Sequence, residues 1–294
     1  MDMPESVSQP YIQIDAEKCR DCSACKRVCP SVRFKGYAAI TDIGRDGCLR
    51  CGHCLAVCPN GAIIHQAFDA AAFTPLAPPP SPESVLEIVR LRHSIRQYAK
   101  RPVERAQWNA LLAAMAYAPS GMNARPMRAI VVSDPEKLTA LSHLAIEFYA
   151  GLLQMLKSPS KRLLLRLTVG RKDYADLRRG ERELAEICAR AKEGIDPILH
   201  GAPGALILHA KRDAACGRDD CLLAAMTAML FAPSLGLGTC LIGFLLPPLQ
   251  RMPAMRVLIN LPADDDAYAV LAVGHPSVSY HHAPPRPGIP VTWQ

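Results

Sequence analysis

The sequence predicts a mixed helix-and-strand protein in two parts, and three observations predict it. Cysteine is clustered: eight of the twelve fall between Cys19 and Cys58, in two copies of one pattern. Residues 74–82, TPLAPPPSP, hold five prolines in nine positions, a composition that favours an extended spacer over a packed element. Beyond the spacer, apolar residues recur at helical spacing in some stretches and in short strand-like runs in others. The expected boundaries are therefore a cysteine-rich module over 1–73, a linker over 74–82 and a larger domain over 83–294. The chain has 294 residues, enough for two cores, and with 50% hydrophobic and 21% charged residues it is neither disordered nor fibrous.

Each cysteine repeat reads C-x2-C-x2-C-x3-C-P: Cys19, Cys22, Cys25, Cys29-Pro30, then Cys48, Cys51, Cys54, Cys58-Pro59, 29 residues on. Three thiolates spaced by three can bend around one face of a cubane. The fourth, followed by proline, points to the other cluster. This puts Cys19, Cys22, Cys25 and Cys58 on one [4Fe–4S] cluster and Cys48, Cys51, Cys54 and Cys29 on a second. A structural zinc site would use two separated pairs, and disulfides would be strained across the short spacing. His53 reads as a solvent-facing loop residue and not a ligand. With those motifs in view, residues 11–66 resemble bacterial-type two-cluster ferredoxins, including Pro59-Asn60-Gly61-Ala62-Ile63 after the second repeat. The first repeat departs there, with Ser31-Val32-Arg33-Phe34 where a small-residue turn is usual. The implied task is one-electron carriage.

In the larger domain, helices are expected over 83–91 and 104–118, the latter with Trp108, Leu111, Leu112 and Met115 on one face. Apolar runs bounded by turn residues predict strands over 128–133, 205–210 and 268–273. The charged stretch 136–192, with its basic run from Lys161 to Arg182, reads as an amphipathic helical cover over the core. Residues 221–249 carry no charge, but Pro233, Gly236, Gly238, Gly243, Pro247 and Pro248 break them into a buried helix and a glycine-rich turn. A membrane span is not expected. Neither is a secretory signal, since residues 1–10 are acidic and lack an apolar run; the expected compartment is the cytoplasm.

Three segments point to a bound ligand, the first of them to an anionic one. In an extended run Arg90-Leu91-Arg92-His93-Ser94-Ile95-Arg96, the side chains of Arg92, Ser94 and Arg96 project to one side. Two guanidiniums and a hydroxyl there suit a phosphate. Residues 118–126, APSGMNARP, form a helix-to-strand turn whose Ser120 and Asn123 can hydrogen-bond a heteroaromatic edge. Residues 235–243, LGLGTCLIG, offer glycines for close backbone approach. No G-x-G-x-x-G loop or Walker motif is present, so a dinucleotide Rossmann domain is not expected.

In this order, and with Asp196-Pro-Ile-Leu-His-Gly-Ala-Pro and Val273-Gly-His-Pro276, the segments over 83–290 resemble the nitroreductase family of flavin enzymes. That resemblance implies an α+β homodimer with two FMN molecules at the subunit interface. It implies that Arg92, His93, Ser94 and Arg96 hold the FMN phosphate and ribityl chain. Pro119, Ser120 and Asn123 would contact the flavin, partly from the partner subunit. Leu241, Ile242 and Gly243 would lie beside the isoalloxazine, and Arg286 would reach the phosphate. Arg125 stands where glutamine is frequent, which bears on the flavin edge or on substrate selection; Pro284 stands where some members have lysine.

Both resemblances together imply an FMN-dependent oxidoreductase fed single electrons through two [4Fe–4S] clusters and reducing a small organic acceptor, such as a nitroaromatic, quinone or activated alkene. The electron source would be a low-potential ferredoxin-like donor or NAD(P)H, and the partner a second copy of the chain. Direct NAD(P)H reduction of the flavin, or an electron-transfer module docking to a larger complex, are the alternatives. No side-chain nucleophile is expected, because the cofactor carries the chemistry. Tyr149 and Tyr174 read as surface packing residues, with proton donation as the alternative, and Cys240 as a buried turn residue. The formal charge of +7 invites a nucleic-acid reading. However, the module is balanced, with eight basic and eight acidic residues in 1–73, and the implied cofactors are anionic. No aromatic-interleaved basic groove is present, so nucleic acid is not an expected partner.

Overall fold

A computed structural model describes residues 11–31 and 47–294, leaving aside the side chains of residues 169, 172 and 173. The expectations for residues 1–10 and for the loop after the first repeat beyond Ser31 lie outside the described residues. The chain divides into two compact units. The first comprises residues 1–79 with 122–124; the second comprises 80–121 with 125–294.

In the first unit, β1 (Ile12–Ile14) pairs antiparallel with β2 (Ile63–His65), Ile12 opposite His65 and Ile14 opposite Ile63. Two short helices, α1 (Ala24–Val28) and α2 (His53–Ala56), carry the third cysteine of each repeat. Sequence periodicity did not announce these three-residue strands, because they are shorter than the window in which alternation can be recognised. The internal repeat reappears in the backbone. Asp21 and Ser23 have φ of 49° and 57°, and 29 residues later Arg50 and Gly52 have 49° and 74°. Both repeats therefore cross the left-handed region at the same two steps, bending the chain around its cysteines. Ile12, Cys54 and Ile63 form the small core.

The second unit is built on a four-stranded antiparallel sheet of order β3-β4-β6-β5. Its strands are β3 (Arg128–Val132), β4 (Gly204–Lys211), β5 (Gly238–Leu241) and β6 (Asp265–Gly274). Central β4 is buried from Gly204 to Ala210, since helices cover both faces. Ala205 and Ile207 face one core layer, while Leu206, Leu208 and Ala210 face the other, as the two-residue period requires.

The second layer is closed by α4 (Arg105–Met115) and α8 (Gly217–Phe231), with Trp108, Leu111, Met115, Ala224 and Ala228 buried. The first is closed by α5 (Pro135–Lys157), α7 (Glu181–Lys192) and the short α9 (Leu246–Arg251) and α10 (Pro253–Leu258). A further helix, α6 (Pro159–Arg179), runs between α5 and α7 and contains a non-helical Gly170 at φ 83°. The charged region 136–192 is thus three successive helices, each beginning after Asp134, Ser158 or Gly180. The Asp134 carboxylate accepts from the Glu136 N–H and proline follows it, a stable helix start.

Ahead of the sheet, α3 (Pro82–Leu91) is capped by Ser81, whose hydroxyl accepts from the Ser84 N–H at 3.2 Å. Its apolar side chains Val85, Leu86, Ile88, Val89 and Leu91 stay exposed. The uncharged stretch 221–249 contains α8 beyond its first turn, β5 and the start of α9. No helix among the described residues is long and apolar enough to cross a membrane. The glycine-rich 235–243 contains a strand where a turn was expected. Gly236, in the left-handed region at φ 68°, reverses the chain, and Gly238–Leu241 then pairs with β6.

Candidate functional site

In the first unit, burial raises the thiol pKa of Cys25, with Cys58 and Cys19 as near charged neighbours. Cys54 is pushed by burial to about 11, with Cys51, Cys48 and Cys29 nearby, and Cys48 is raised by burial beside Cys51 and Cys29. Cys29 thus sits with the second repeat and Cys58 with the first. A small cavity is lined by Cys29, Cys48, Cys51 and Cys54. Backbone N–H groups aim at sulfur in matching fashion: Asp21 N–H on Cys19 Sγ at 3.4 Å and Arg50 N–H on Cys48 Sγ at 3.3 Å. Ala62 N–H reaches Cys58 Sγ at 3.2 Å. Donors trained on sulfur, together with unfavourably buried thiols, fit a group that takes those cysteines as thiolates. Cys22 and His53 are exposed. In the same unit, Asn123 Nδ2 donates to the Leu49 and Arg50 carbonyls at 3.0 and 2.9 Å.

In the second unit, Arg92–Arg96 runs extended beside β5. Ser94 bridges Thr239 in parallel, and the Ile95 N–H donates to the Thr239 carbonyl at 2.9 Å. Ile95 is buried, so Ser94 and Arg96 project away from the core. The Tyr98 hydroxyl, 2.7 Å from the Ile95 carbonyl, clamps the segment from the other end. No ion pair engages Arg92 or Arg96 among the described residues. Two uncompensated guanidiniums on one extended segment fit a phosphate. The His93 ring stacks on Tyr280 at 4.2 Å and its Nδ1 meets the Leu91 carbonyl, so this ring is occupied by the chain's own tail.

Arg96, Leu241, Ile242 and Gly243 come together in the wall of one cavity of about 1000 Å³. Its lining is mostly apolar and aromatic, including Phe148, Tyr149, Ile198 and Phe244, with Arg96, Thr168, Asp176, Glu183, His200 and Arg251 as polar members. This balance of apolar surface with a few polar groups is typical of a small-molecule site. Pro119, Ser120, Asn123, Arg125 and Arg286 are not in that wall. Ser120 Oγ accepts from the Arg125 N–H at 3.1 Å, closing the 120–125 turn, and Met122, Asn123 and Arg125 have φ of 51°, 54° and 49°. Gly121 donates its N–H to buried Asp220 at 2.9 Å, and a Cβ on Gly121 would lie 2.7 Å from Cys216 Sγ. Arg286 lies in the exposed segment after β6.

Several site residues escaped the sequence reading. Tyr149 is buried, not a surface residue: its hydroxyl donates to the Phe244 carbonyl at 2.8 Å, and its ring meets Phe244 edge-on. Burial lifts its pKa far above the usual phenol value, so it stays protonated. Cys240 belongs to β5 and not to a turn, and burial raises its thiol despite the nearby Arg96 and Arg92. His200 holds a left-handed φ of 59°, and burial lowers its pKa, keeping the ring neutral. Asp196 orders this corner by accepting from the N–H groups of Ile198, Leu199 and Gly201 at 3.0 to 3.1 Å. The Asp-Pro pair and the His-Gly pair were the available signals for such a corner.

Comparison with known proteins agrees with this geometry. A family model described as the nitroreductase family matches residues 89–275, and one described as a 4Fe-4S dicluster domain matches residues 11–59. An Archaeoglobus fulgidus protein whose name couples NADH dehydrogenase with NAD(P)H nitroreductase is 27% identical over 194 residues, 66% of this chain and 86% of that one. A Thermus thermophilus protein named NADH dehydrogenase is 28% identical over 191 residues, covering 63% and 83%. Among solved structures, an FMN-bound nitroreductase from Bacteroides fragilis superposes with a TM-score of 0.54 at 23% identity, covering 71% of this chain and 98% of that one.

Proposed function

The chain belongs to the nitroreductase family, and from that premise we propose that it is an FMN-dependent oxidoreductase receiving single electrons through two [4Fe–4S] clusters and reducing a small organic acceptor. The observation that carries the reading is the joint presence of Arg96 and the Leu241–Ile242–Gly243 backbone in one large, largely apolar cavity, on a chain with two cysteine quartets. Arg92, Ser94 and Arg96 hold the FMN phosphate end; Leu241, Ile242 and Gly243 flank its ring. Cys19, Cys22, Cys25 and Cys58 hold one cluster, and Cys29, Cys48, Cys51 and Cys54 the other. Bound FMN supplies two-electron chemistry and the clusters one-electron carriage.

The protein's part is to orient and to exclude water. Phe148, Tyr149 and Phe244 provide flat apolar walls for an aromatic or quinonoid acceptor, and the neutral His200 ring offers a hydrogen-bonding group beside Arg96. Tyr149, committed to the Phe244 carbonyl, acts on the shape of the wall and not as a proton donor. The remaining flavin contacts, Pro119, Ser120, Asn123, Arg125 and Arg286, serve a second subunit's cofactor or the open side of the same one. An obligate homodimer is consistent with the exposed apolar faces of α3 and α8, the latter with Leu223, Met226 and Phe231. We place the protein in the cytoplasm.

Anaerobic reconstitution should yield about eight iron and one FMN per chain; zinc alone, or no flavin, sinks the proposal. Light scattering should return twice the chain mass. The names of the curated relatives favour a second reading, direct reduction of the flavin by NAD(P)H. Stopped-flow mixing decides it. Rapid flavin bleaching by NADH in a Cys19→Ser/Cys48→Ser variant supports direct reduction; bleaching only by reduced ferredoxin, and only with clusters present, supports cluster input.

A further inference from the structure

The two cysteine sets are not equivalent, and one side chain distinguishes them. His65 ends β2 and is 4% exposed. Its Nδ1 accepts the Ala67 N–H at 3.0 Å, so the ring proton resides on Nε2. That Nε2 lies 3.4 Å from Cys48 Sγ, within reach for a donor to sulfur. The ring is held edge-on between Tyr11 and Phe68, each with its centroid at 4.9 Å. Tautomer, position and tilt are thus each fixed by a separate contact. Asp21 N–H on Cys19 and Arg50 N–H on Cys48 are matching backbone donors that differ by only 0.1 Å, and the Ala62 N–H on Cys58 at 3.2 Å is one more backbone donor to the first set. His65 has no counterpart in the repeat: the residue 29 positions earlier is Gly36, which has no side-chain donor.

We propose that His65 is a positioning residue that sets the reduction potential of the cluster held by Cys29, Cys48, Cys51 and Cys54 above that of the other, through its Nε2–H bond to the Cys48 sulfur. The proposal rests on the cluster ligation proposed above. The reduced cluster carries one more negative charge, largely shared with its sulfurs, and a neutral donor on a ligand sulfur stabilises that form over the oxidised one. Reduction adds one electron per cluster; no bond breaks, and the Nε2 proton stays on the ring. The pair is then ordered in energy, with the second set as its upper-potential member.

The test is an electron-paramagnetic-resonance redox titration of the reconstituted full-length protein and its His65→Phe variant, which keeps the aromatic packing and deletes the donor. Iron and sulfide are counted first. Wild-type protein that binds no cluster refutes the ligation reading itself. With clusters present, wild type should show two waves, and His65→Phe should lower the upper one alone. The expected fall is about tenfold in the reduced-to-oxidised ratio at fixed potential, equivalent to about 59 mV for one electron. An unmoved upper wave, or a shift of the lower wave instead, overturns the proposal while leaving ligation intact. Should His65→Phe fail to assemble, ¹⁵N-histidine labelling of a His53→Ala protein decides. Pulsed resonance must find a histidine nitrogen coupled to the upper-potential cluster, and its absence overturns the assignment.

Discussion

Gly238→Ala tests the link between backbone packing and the phosphate-binding segment. A Cβ at position 238 would lie 2.5 Å from Ile95 Cγ1, 2.9 Å from Ile95 Cβ and 2.9 Å from Pro276 Cγ. Ordinary carbon contacts are about 3.5 to 4.0 Å, so Ile95 must retreat by about 1 Å or more. The contact with Ile95 Cβ is one that no rotamer change removes, and because isoleucine is β-branched, turning Cγ1 away tends to bring another substituent into its place. Ile95 cannot withdraw alone either, since its N–H is bound to the Thr239 carbonyl and its carbonyl to the Tyr98 hydroxyl. The whole segment moves, taking Arg92, Ser94 and Arg96 with it. Overpacking of this kind costs about 1–3 kcal/mol, which for a unit of this size lowers Tm by about 2–12 °C. A displacement of about 1 Å also breaks the bidentate geometry that guanidinium–phosphate pairing needs, so FMN affinity should fall at least about tenfold, or about 1.4 kcal/mol. Thermal unfolding of the apoprotein reads the first effect and flavin fluorescence titration the second. Wild-type Tm together with wild-type FMN affinity would refute the reasoning.

Other perturbations separate the remaining roles. Tyr149→Phe removes the bond to the Phe244 carbonyl, so stability should fall by about 1 kcal/mol and KM for the acceptor should rise with kcat little changed; a large loss of kcat alone would make the hydroxyl a proton donor after all. Cys221 is fully buried with its thiol pushed up to about 12, so between pH 9 and 12 the unfolded chain has released a proton that the folded chain keeps. Stability should therefore fall as pH rises through that window, by about 1.4 kcal/mol per pH unit from this thiol, and Cys221→Ala should flatten the slope in denaturant titrations. Cys29→Ala should disturb the cluster held by the second repeat and Cys58→Ala that of the first; resonance signals following each cysteine's own repeat would contradict the crossed ligand sets.

Local pattern was legible wherever a single segment defines the chemistry. The two C-x2-C-x2-C-x3-C-P runs state ligand type and spacing within eleven residues each, and their common backbone bends follow from the repeat. The helices at 105–115 and 135–192 and strands β3, β4 and β6 could be read because their apolar periods are long. β5 could not: a four-residue strand with glycine at its head looks like a turn, and only pairing with β6 makes it a strand. Tyr149 read as exposed because it falls within the stretch 136–192, whose later part is highly charged, and nothing local reveals that Phe244, 95 residues away, would receive its hydroxyl.

The sequence by itself determined that this chain pairs a cysteine-repeat module with a larger helix-and-strand domain and has an arginine-rich segment suited to a phosphate. Those features depend on residue type and spacing along the chain, which covalent geometry transmits directly. Tertiary structure decided which groups meet. It put Arg96 beside Leu241–Gly243 in one cavity, committed His93 to Tyr280 and Tyr149 to a carbonyl, and aimed His65 at Cys48. Each of these depends on packing between distant segments, where the position of a side chain is fixed by the cost of burying polar groups without partners.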